Sequence, residues 1–376
     1  MTFFEKLRCL AQNDFSASAY SEEENELYLA AKAFLLSDEV QVEAIVKKLF
    51  KTASDEIKSI AVSLIPNILM QQERFEALSE YDIPRNDGEA AAISLYNVKE
   101  TRMDLTEGTD CLDLLPNEMG WAVVTVKING HDINLMVDTG AGITVINETT
   151  ANKCGVIRVN TVDKALEAQD ANSNKIVLPT AMIDEISIGT SVFSNKICMV
   201  IPDNALDFGT AKINGTIGWE LINKLKWVFN FKEKKVFVSK PKPENVCKNM
   251  SYDAFPMVRV EINNKQMYMG LDTGANATMF GKSMINNINV SNMAKSSIKV
   301  GAAGGYNDFD TFIIPDIKIK VGEGTAHLKK LYLLTDSEKS KSGFFITPGI
   351  IGMDIAQQGV LTLNYFNRHI CINNPA

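Results

Sequence analysis

The spacing of apolar residues along the chain changes near residue 120. Before that point apolar residues recur every three or four positions, which is typical of amphipathic helices. After it they alternate with polar residues, as in the runs on either side of the turn pair Asn129-Gly130. The alternating apolar positions there are Val124, Val126, Ile128, Ile133, Leu135 and Val137. The pattern predicts an α-helical N-terminal region followed by a body of short β-strands.

Helix boundaries in the first region follow from capping residues. Ser21 with Glu24 forms a capping box before an apolar run, and Ser37 followed by Asp38 indicates the start of a second helix. The apolar stripe of the next segment runs from Ile57 to Leu69, and Pro66 should kink or split it. A short helix is predicted within 72–80. The expected organisation is an α-helical domain at 1–82 (a bundle or helical repeats), a connector at 83–118, and two β lobes at 119–240 and 241–376.

The charge, the N-terminal sequence and the cysteines indicate which partners and which cellular compartment to expect. The net charge is −8, which gives no reason to expect a nucleic-acid partner. Residues 1–82 carry 8 Lys/Arg and 15 Asp/Glu, a net −7, so nearly all of the excess lies in the helical region. The N-terminus does not resemble a signal peptide, and no run approaches the roughly 20 apolar residues of a membrane span. Six scattered cysteines are expected to be free thiols. These features predict a cytoplasmic protein without a membrane partner.

The β region contains an internal repeat. The stretches VDTGAGIT (137–144) and LDTGANAT (271–278) are near-copies, and an offset of 134 residues superposes 122–146 on 256–280 with nine of 25 positions identical. The offset also superposes Ile217-Gly218 on Ile351-Gly352. Two copies of about 130 residues favour a two-lobed body over a solenoid.

A duplicated Asp-Thr-Gly suits one kind of chemistry. Each Asp follows an apolar strand, and two lobes related by a two-fold axis can bring both carboxyl groups together. Two adjacent carboxylates cannot both ionise cheaply, so they share a proton and one pKa rises. Such a pair offers a base and an acid at the same pH.

At these motifs residues ~118–374 resemble the pepsin/retropepsin-like aspartic proteases, in a bacterial single-chain form with two retroviral-style DTGA motifs. The resemblance implies a mainly β, bilobal protease body, preceded here by the small α-helical domain, with Asp138 and Asp272 as the catalytic dyad. It also implies a set of residues that support the two active-site loops. They are Thr139, Gly140, Ala141, Thr144, Ile217 and Gly218 in the first repeat, and Thr273, Gly274, Ala275, Thr278, Ile351 and Gly352 in the second.

Two departures from the family pattern are evident. Retroviral enzymes often carry Arg after the apolar-Gly pair, where this chain has Trp219 and Met353. Ala141 and Ala275 stand where pepsins prefer Ser or Thr. An alanine there donates no hydrogen bond to a carboxylate, which is expected to raise the lower pKa of the dyad.

The resembled fold also implies a hairpin that covers the cleft in each lobe. Turn-rich stretches follow each Asp by about 30 residues, and a mobile hairpin tip without a substrate role is an equal reading of them. The flap candidates are Asp170, Asn172, Gly304, Gly305 and Tyr306.

Other chemistries have weaker support. Asn276–Ser283 is a near miss to a phosphate-binding loop, because Asn276 replaces its first Gly and Met279 and Phe280 are bulky. The three histidines show no metal-ligand spacing. No metal and no cofactor are therefore expected.

The sequence predicts an aspartic endopeptidase that is active as a single chain on a polypeptide substrate. The alternative is an inactive peptide-binding scaffold. In either case the N-terminal helical domain is expected to be a docking or regulatory domain, with a protein partner as one possibility, because its acidic charge would be repelled by the dyad.

Overall fold

Helices occupy the N-terminal part of the chain and strands dominate the rest in the computed structural model. The structure describes residues 1–376 apart from 17–18, 73, 82–100, 159–165, 170–174, 207–212, 287, 289–292, 303–304, 336–342 and 374–376. The expectation of a mainly β, bilobal body behind a helical segment is confirmed.

Capping residues define the N-terminal helices. The Ser21 hydroxyl accepts from the Glu24 N–H and the Glu24 carboxylate accepts from the Ser21 N–H, as the sequence predicted. The cap of the next helix is Asp38, one residue beyond the predicted Ser37. Pro66 splits the long stripe into two helices, and the predicted short helix is a 3-10 turn at Phe75–Tyr81. The helices are α1 Phe3–Arg8, α2 Glu22–Leu35, α3 Glu39–Thr52, α4 Asp55–Val62 and α5 Pro66–Gln71.

The helical region packs on the second lobe. Its buried apolar cluster includes Met257, Tyr268 and Phe345 from that lobe, and the rings of Phe34 and Phe345 lie 5.5 Å apart. Backbone bonds reinforce the contact: the Tyr268 N–H donates to the Ala11 carbonyl at 2.7 Å, and the Ile346 N–H to the Arg8 carbonyl at 2.7 Å. The helices therefore share a core with the second lobe.

The first lobe is built on an eight-stranded sheet with the order β1-β10-β5-β11-β4-β3-β9-β6. The predicted hairpin around Asn129-Gly130 is formed by β3 and β4. Beside the sheet lie helix α6 Glu148–Lys153, helix α7 Trp219–Ile222 and a separate two-stranded hairpin of β7 and β8. The strands are β1 Arg102–Asp104, β2 Thr109–Asp113, β3 Val123–Ile128, β4 His131–Val137, β5 Val145–Asn147, β6 Ile157–Arg158, β7 Leu166–Gln169, β8 Lys175–Leu178, β9 Thr180–Ile188, β10 Ser191–Ile201, β11 Gly215–Ile217, β12 Lys226–Asn230 and β13 Lys235–Ser239.

The second lobe repeats the plan in a sheet with the order β14-β15-β16-β21-β17-β20-β19-β18. In both lobes the strand before the Asp pairs in parallel with the Ile-Gly strand, so that Val137 lies beside Ile217 and Leu271 beside Ile351. The strands are β14 Met250–Asp253, β15 Phe255–Ile262, β16 Lys265–Leu271, β17 Met279–Phe280, β18 Ala294–Ala302, β19 Gly305–Val321, β20 Gly324–Leu334, β21 Gly349–Ile351, β22 Val360–Asn364 and β23 His369–Asn373.

A five-stranded sheet joins the lobes, in the order β2-β13-β12-β22-β23. Its centre is the antiparallel pair β12–β22, which places one strand from each repeat side by side. The segment that we expected to be a connector supplies β1 to the first lobe's sheet and β2 to this one. A single apolar core runs through both lobes and this sheet.

Candidate active site

Each candidate Asp lies at the end of a buried strand, where the chain turns sharply. The Asp138 N–H donates to the Ile217 carbonyl at 3.1 Å, and the Asp272 N–H to the Ile351 carbonyl at 2.9 Å. The loops then close through the Trp219 N–H, which donates to the Ala141 carbonyl, and the Met353 N–H, which donates to the Ala275 carbonyl, at 2.7 and 2.8 Å. The two repeats thus hold their Asp loops with the same bonds.

The two loops are bonded to each other through their threonines. The Thr139 hydroxyl accepts from the Thr273 N–H at 3.0 Å and donates to the Leu271 carbonyl at 2.7 Å. The Thr273 hydroxyl accepts from the Thr139 N–H at 2.9 Å and donates to the Val137 carbonyl at 2.7 Å. Both side chains are 1% exposed. Four buried bonds therefore cross between the lobes directly beneath the two Asp residues.

Glycine after each threonine leaves room for the opposite carboxyl group. The N–H groups of Gly140 and Gly274 each donate at 2.9 Å to the Asp of their own loop. A Cβ on Gly140 would lie 2.7 Å from an oxygen of Asp272, and one on Gly274 would lie 2.6 Å from an oxygen of Asp138. Any larger residue would push the two carboxyl groups apart, so this close approach requires glycine.

Close approach and burial determine the protonation of the pair. Burial and the charge of Asp272 raise the pKa of Asp138 to about 7, because both disfavour a second negative charge. Both residues remain half-buried, and Gly140 is exposed, so water and substrate can reach the carboxyl groups. A pair of carboxyl groups in this environment can hold one shared proton near neutral pH.

A second pair of carboxylates lies behind the loops, and the sequence analysis missed it. The Thr144 N–H donates to Glu220 and the Thr278 N–H to Asp354, both at 2.9 Å. The hydroxyls of Thr144 and Thr278 in turn accept from the N–H of Gly218 and Gly352, at 3.1 and 3.0 Å. An acidic residue two positions after each Ile-Gly was the signal available in the repeat.

The aromatic residue that replaces arginine has a clear role in packing. Trp219 is 1% exposed, its ring stacks on Tyr252 at 5.6 Å, and it meets Tyr365 edge-on at 4.8 Å. Tyr252 lies on β14 and Tyr365 directly follows β22, so both tyrosines belong to the second repeat. The counterpart of Trp219, Met353, is also buried in the shared core. At the position where retroviral enzymes often carry an ion-pairing Arg, this chain therefore has a buried side chain that packs against aromatic rings.

In each lobe a pair of antiparallel strands flanks the segment that holds flap candidates. Strands β7 and β8 pair around 170–174, and β18 and β19 pair around 303–304. Asp170, Asn172 and Gly304 lie outside the described residues. Gly305 and Tyr306 begin β19, opposite Ala302 and Gly301.

The near miss to a phosphate loop is part of the sheet. Met279 and Phe280 form β17 and are buried, and the Gly281 N–H donates to the Pro348 carbonyl at 2.8 Å. The Gly281 N–H is therefore already bonded within the protein. Within the described part of the chain, no helix is long and apolar enough to cross a membrane, and all six cysteines are free thiols.

Comparison with known proteins agrees with the geometry. Residues 124–210 match the family model of the gag-polyprotein putative aspartyl protease. The DNA damage-inducible protein 1 of Yarrowia lipolytica is 26% identical over 143 residues, which are 38% of this chain and 34% of that protein. The chain thus spans about a third of the length of this relative. The matched residues 124–210 include the first Asp-Thr-Gly-Ala loop, so the first lobe is similar to an aspartyl protease family model.

Proposed function

We propose that this protein is an aspartic endopeptidase in which Asp138 and Asp272 activate a water molecule between them. The observation that carries the proposal is the pair of carboxyl groups held together by four buried threonine bonds, with the pKa of Asp138 raised to about 7. A family domain alone implies a protease-like function. Two carboxyl groups that share a proton supply the acid and the base that hydrolysis needs.

The reaction balances with these two groups alone. The ionised carboxylate removes a proton from water as its oxygen attacks the peptide carbonyl carbon. The protonated carboxyl group gives its proton to the carbonyl oxygen, forming a tetrahedral gem-diol. When the C–N bond breaks, the protonated carboxyl group gives its proton to the leaving nitrogen while a gem-diol hydroxyl gives its proton to the ionised carboxylate, so the dyad is again singly protonated. The pair acts as a unit, so neither residue works without the other.

The substrate is proposed to bind as an extended strand across the cleft, because main-chain hydrogen bonds then provide affinity for many sequences. The hairpins β7–β8 and β18–β19 are the proposed flaps. They differ in construction, since β7–β8 is a separate two-stranded sheet and β18–β19 extends the eight-stranded sheet of the second lobe.

A single chain is proposed to be sufficient for activity. Both Asp loops come from one chain, and the β12–β22 pairing joins the lobes within the same sheet. We also propose a cytoplasmic location, which the six free thiols favour. The helical region remains a proposed docking or regulatory domain.

The alternative function is an inactive peptide-binding scaffold whose helical domain recruits a partner. It would keep the cleft and lose the chemistry. The intact dyad, both glycines and both threonines favour an active enzyme, because an inactive scaffold has no need to hold two carboxyl groups in this costly proximity.

The test is a peptide-library digest of the full chain, read by mass spectrometry. Wild type should produce defined internal cleavages that Asp138→Asn abolishes. Asp132→Asn is the matched control, because Asp132 is exposed on β4 and outside the loop. If wild type and Asp138→Asn give the same products, or neither cleaves at any pH from 3 to 8, the scaffold function is favoured instead.

A further inference from the structure

A second cluster of reactive side chains lies on the outermost strand of the interlobe sheet. His369 and Cys371 are two residues apart on β23, so their side chains lie on the same face of the strand. They are 4% and 5% exposed. A buried imidazole and a buried thiol therefore stand side by side, on elements that hold neither Asp138 nor Asp272.

The turn between β19 and β20 brings a carboxylate to the same place. Gly322 has φ +61°, and a Cβ on it would lie 2.6 Å from the Cβ of Cys371. Because Gly322 has no side chain, the turn can press against β23, and the next residue, Glu323, reaches the cluster. One of the Glu323 oxygens lies within 4.8 Å of the Cys371 sulfur, which donates to Asn373 Oδ1 at 3.9 Å, and Oε2 of Glu323 lies 3.9 Å from Nε2 of His369.

The hydrogen bond at Nδ1 of His369 determines whether Nε2 can act as a ligand. Nδ1 lies 2.9 Å from the backbone carbonyl oxygen of Cys247. A carbonyl can only accept a hydrogen bond, so Nδ1 carries the proton and a neutral ring directs the Nε2 lone pair at the cluster. An imidazole oriented in this way by a backbone carbonyl is the arrangement found behind most metal-binding histidines.

The corresponding contact in the first lobe lacks this character. There the turn residue Thr190 lies against the outermost strand β2, where both its N–H and its hydroxyl donate to Asp110, at 2.9 and 2.8 Å. Donors and an acceptor are matched. In the second lobe the turn brings the Glu323 carboxylate close to Nε2 of His369 and the sulfur of Cys371, three groups that can each donate an electron pair to a cation.

We propose that Glu323, His369 and Cys371 form a site for a zinc-class divalent cation, with water at a fourth position. The three ligand atoms all lie within 4.8 Å of one another. Bonds of about 2.0–2.3 Å to one ion would place them about 3.3–3.8 Å apart, and the exposed turn of Glu323 can supply that closure. One nitrogen, one sulfur and one oxygen are donors that zinc accepts, whereas calcium and magnesium prefer oxygen alone.

The bound ion would fasten the β19–β20 turn to the sheet that joins the lobes. Because the unfolded chain holds no such arrangement, binding would stabilise the folded protein. The site is therefore structural, and it is independent of whether the dyad is active.

The experiment uses the full chain, stripped of metal with a chelator and kept reduced without thiols. Addition of Co²⁺ alone should give a thiolate-to-cobalt absorption band in the near ultraviolet that saturates at one equivalent. Cys371→Ser should abolish the band, and Glu323→Gln should weaken Co²⁺ binding by more than about tenfold, because loss of a residue that only orients a ligand already costs about that much. Cys247→Ser is the matched control, because that exposed thiol is adjacent and its backbone carbonyl is retained.

Folding of the variants is checked separately. Glu323 is exposed, so Glu323→Gln is expected to fold even if Cys371→Ser does not, and Zn²⁺ should raise the melting temperature of wild type more than that of Glu323→Gln at the same concentration. No saturable band in wild type would overturn the proposal. So would a band that survives in Cys371→Ser, Co²⁺ binding that is unchanged in Glu323→Gln, or a band that Cys247→Ser removes.

Discussion

The two lobes hold their Asp loops with the same bonds but satisfy the supporting carboxylates differently. In the second lobe both oxygens of Asp354 accept from Thr278, from its N–H at 2.9 Å and from its hydroxyl at 2.6 Å. In the first lobe Oε1 of Glu220 accepts from the Thr144 N–H, while Oε2 is buried without a hydrogen-bond partner. The loop is thus common to both repeats, whereas the layer behind it has diverged.

The lobes also differ in what covers them. The second lobe shares a core with the helical region through Met257, Tyr268 and Phe345. The first lobe instead inserts Trp219 between the tyrosines of the second lobe. One of these, Tyr365, lies 3.7 Å from the guanidinium of Arg368, which pairs with Glu39 of α3. The two Asp loops have the same geometry because they are hydrogen-bonded to each other across the lobes. The outer surface of each lobe lacks such a constraint and differs between the repeats.

The strongest test of symmetry is the dyad. Asp138→Asn and Asp272→Asn are each expected to lower kcat/KM by at least about a hundredfold, and up to about ten-thousandfold, because acid and base are lost together. The double variant should be little worse than either single one. Initial rates on a cleaved peptide measure this, and they should stay proportional to enzyme concentration for wild type. Substantial activity in one single variant would mean that the lobes are not equivalent.

The next largest effect concerns the helical region. Phe34→Ala should lower the free energy of unfolding by about 3–5 kcal/mol, because it leaves a cavity against Phe345. Val40→Ala is the control, since that side chain is 82% exposed. Urea unfolding provides the measurement.

That variant also distinguishes a shared core from a removable segment. A second unfolding transition that involves only the helices, with the β body unchanged, would contradict the shared core. The shared core would also be contradicted if N-terminal sequencing showed that the active enzyme had lost residues 1–82.

The crossed threonines should show matched effects. Thr139→Ala and Thr273→Ala each leave a buried N–H and a buried carbonyl without partners, at about 1–3 kcal/mol for each group. We expect nearly equal losses of stability from the two variants, and Thr→Ser should retain most of it because the hydroxyl remains. Unequal losses beyond about 1 kcal/mol would show that one lobe anchors the other.

The pH dependence of stability should report on the supporting carboxyl groups, because burial raises the pKa of both Glu220 and Asp354. Burial raises the pKa of Glu220 from 4.5 to about 7, so between these values the folded state binds more protons than the unfolded state. The free energy of unfolding therefore falls as pH rises from about 4.5 to 7, by up to about 3 kcal/mol from this group. Asp138 has a pKa of about 7 and acts in the same direction.

Glu220→Gln should remove the part of this pH dependence that comes from Glu220. Asp354→Asn should lower the free energy of unfolding more than Glu220→Gln near pH 7, because both oxygens of Asp354 accept hydrogen bonds. Melting curves at pH 5, 6 and 7 provide the data. A wild-type stability that rises across this range would refute the assignment for Glu220.

The smallest expected effect comes from the residue after each Gly. A hydroxyl at Ala141 or Ala275 could donate to a dyad carboxylate and lower its pKa. Ala141→Ser and Ala275→Ser should therefore move the acid limb of kcat/KM to lower pH, by about one unit or less. Wild type should lose activity as pH rises above about 7, since Asp138 then loses its proton. A wild-type optimum below about pH 3 would reject this account.

Local pattern was enough to predict much of this protein. The change of apolar period separated helices from strands, capping residues placed α2, and Pro66 divided α4 from α5. The 134-residue repeat identified both Asp loops, because a two-lobed body built from similar halves must carry its key residues twice. These features depend on neighbours along the chain, and sequence reports them directly.

Contacts between distant segments were decided only by the tertiary structure. The roles of Glu220, Trp219 and Phe345 arise from partners far away in the chain, and no local period marks them. The same is true of β2, whose residues gave weak signals but complete the sheet between the lobes. His369, Cys371 and Glu323 show the limit most clearly: His369 and Cys371 are adjacent on one strand, but the carboxylate reaches them only because the glycine turn packs against that strand. Side-chain chemistry is written in the sequence, whereas the distance between side chains is set by how the sheets and turns pack.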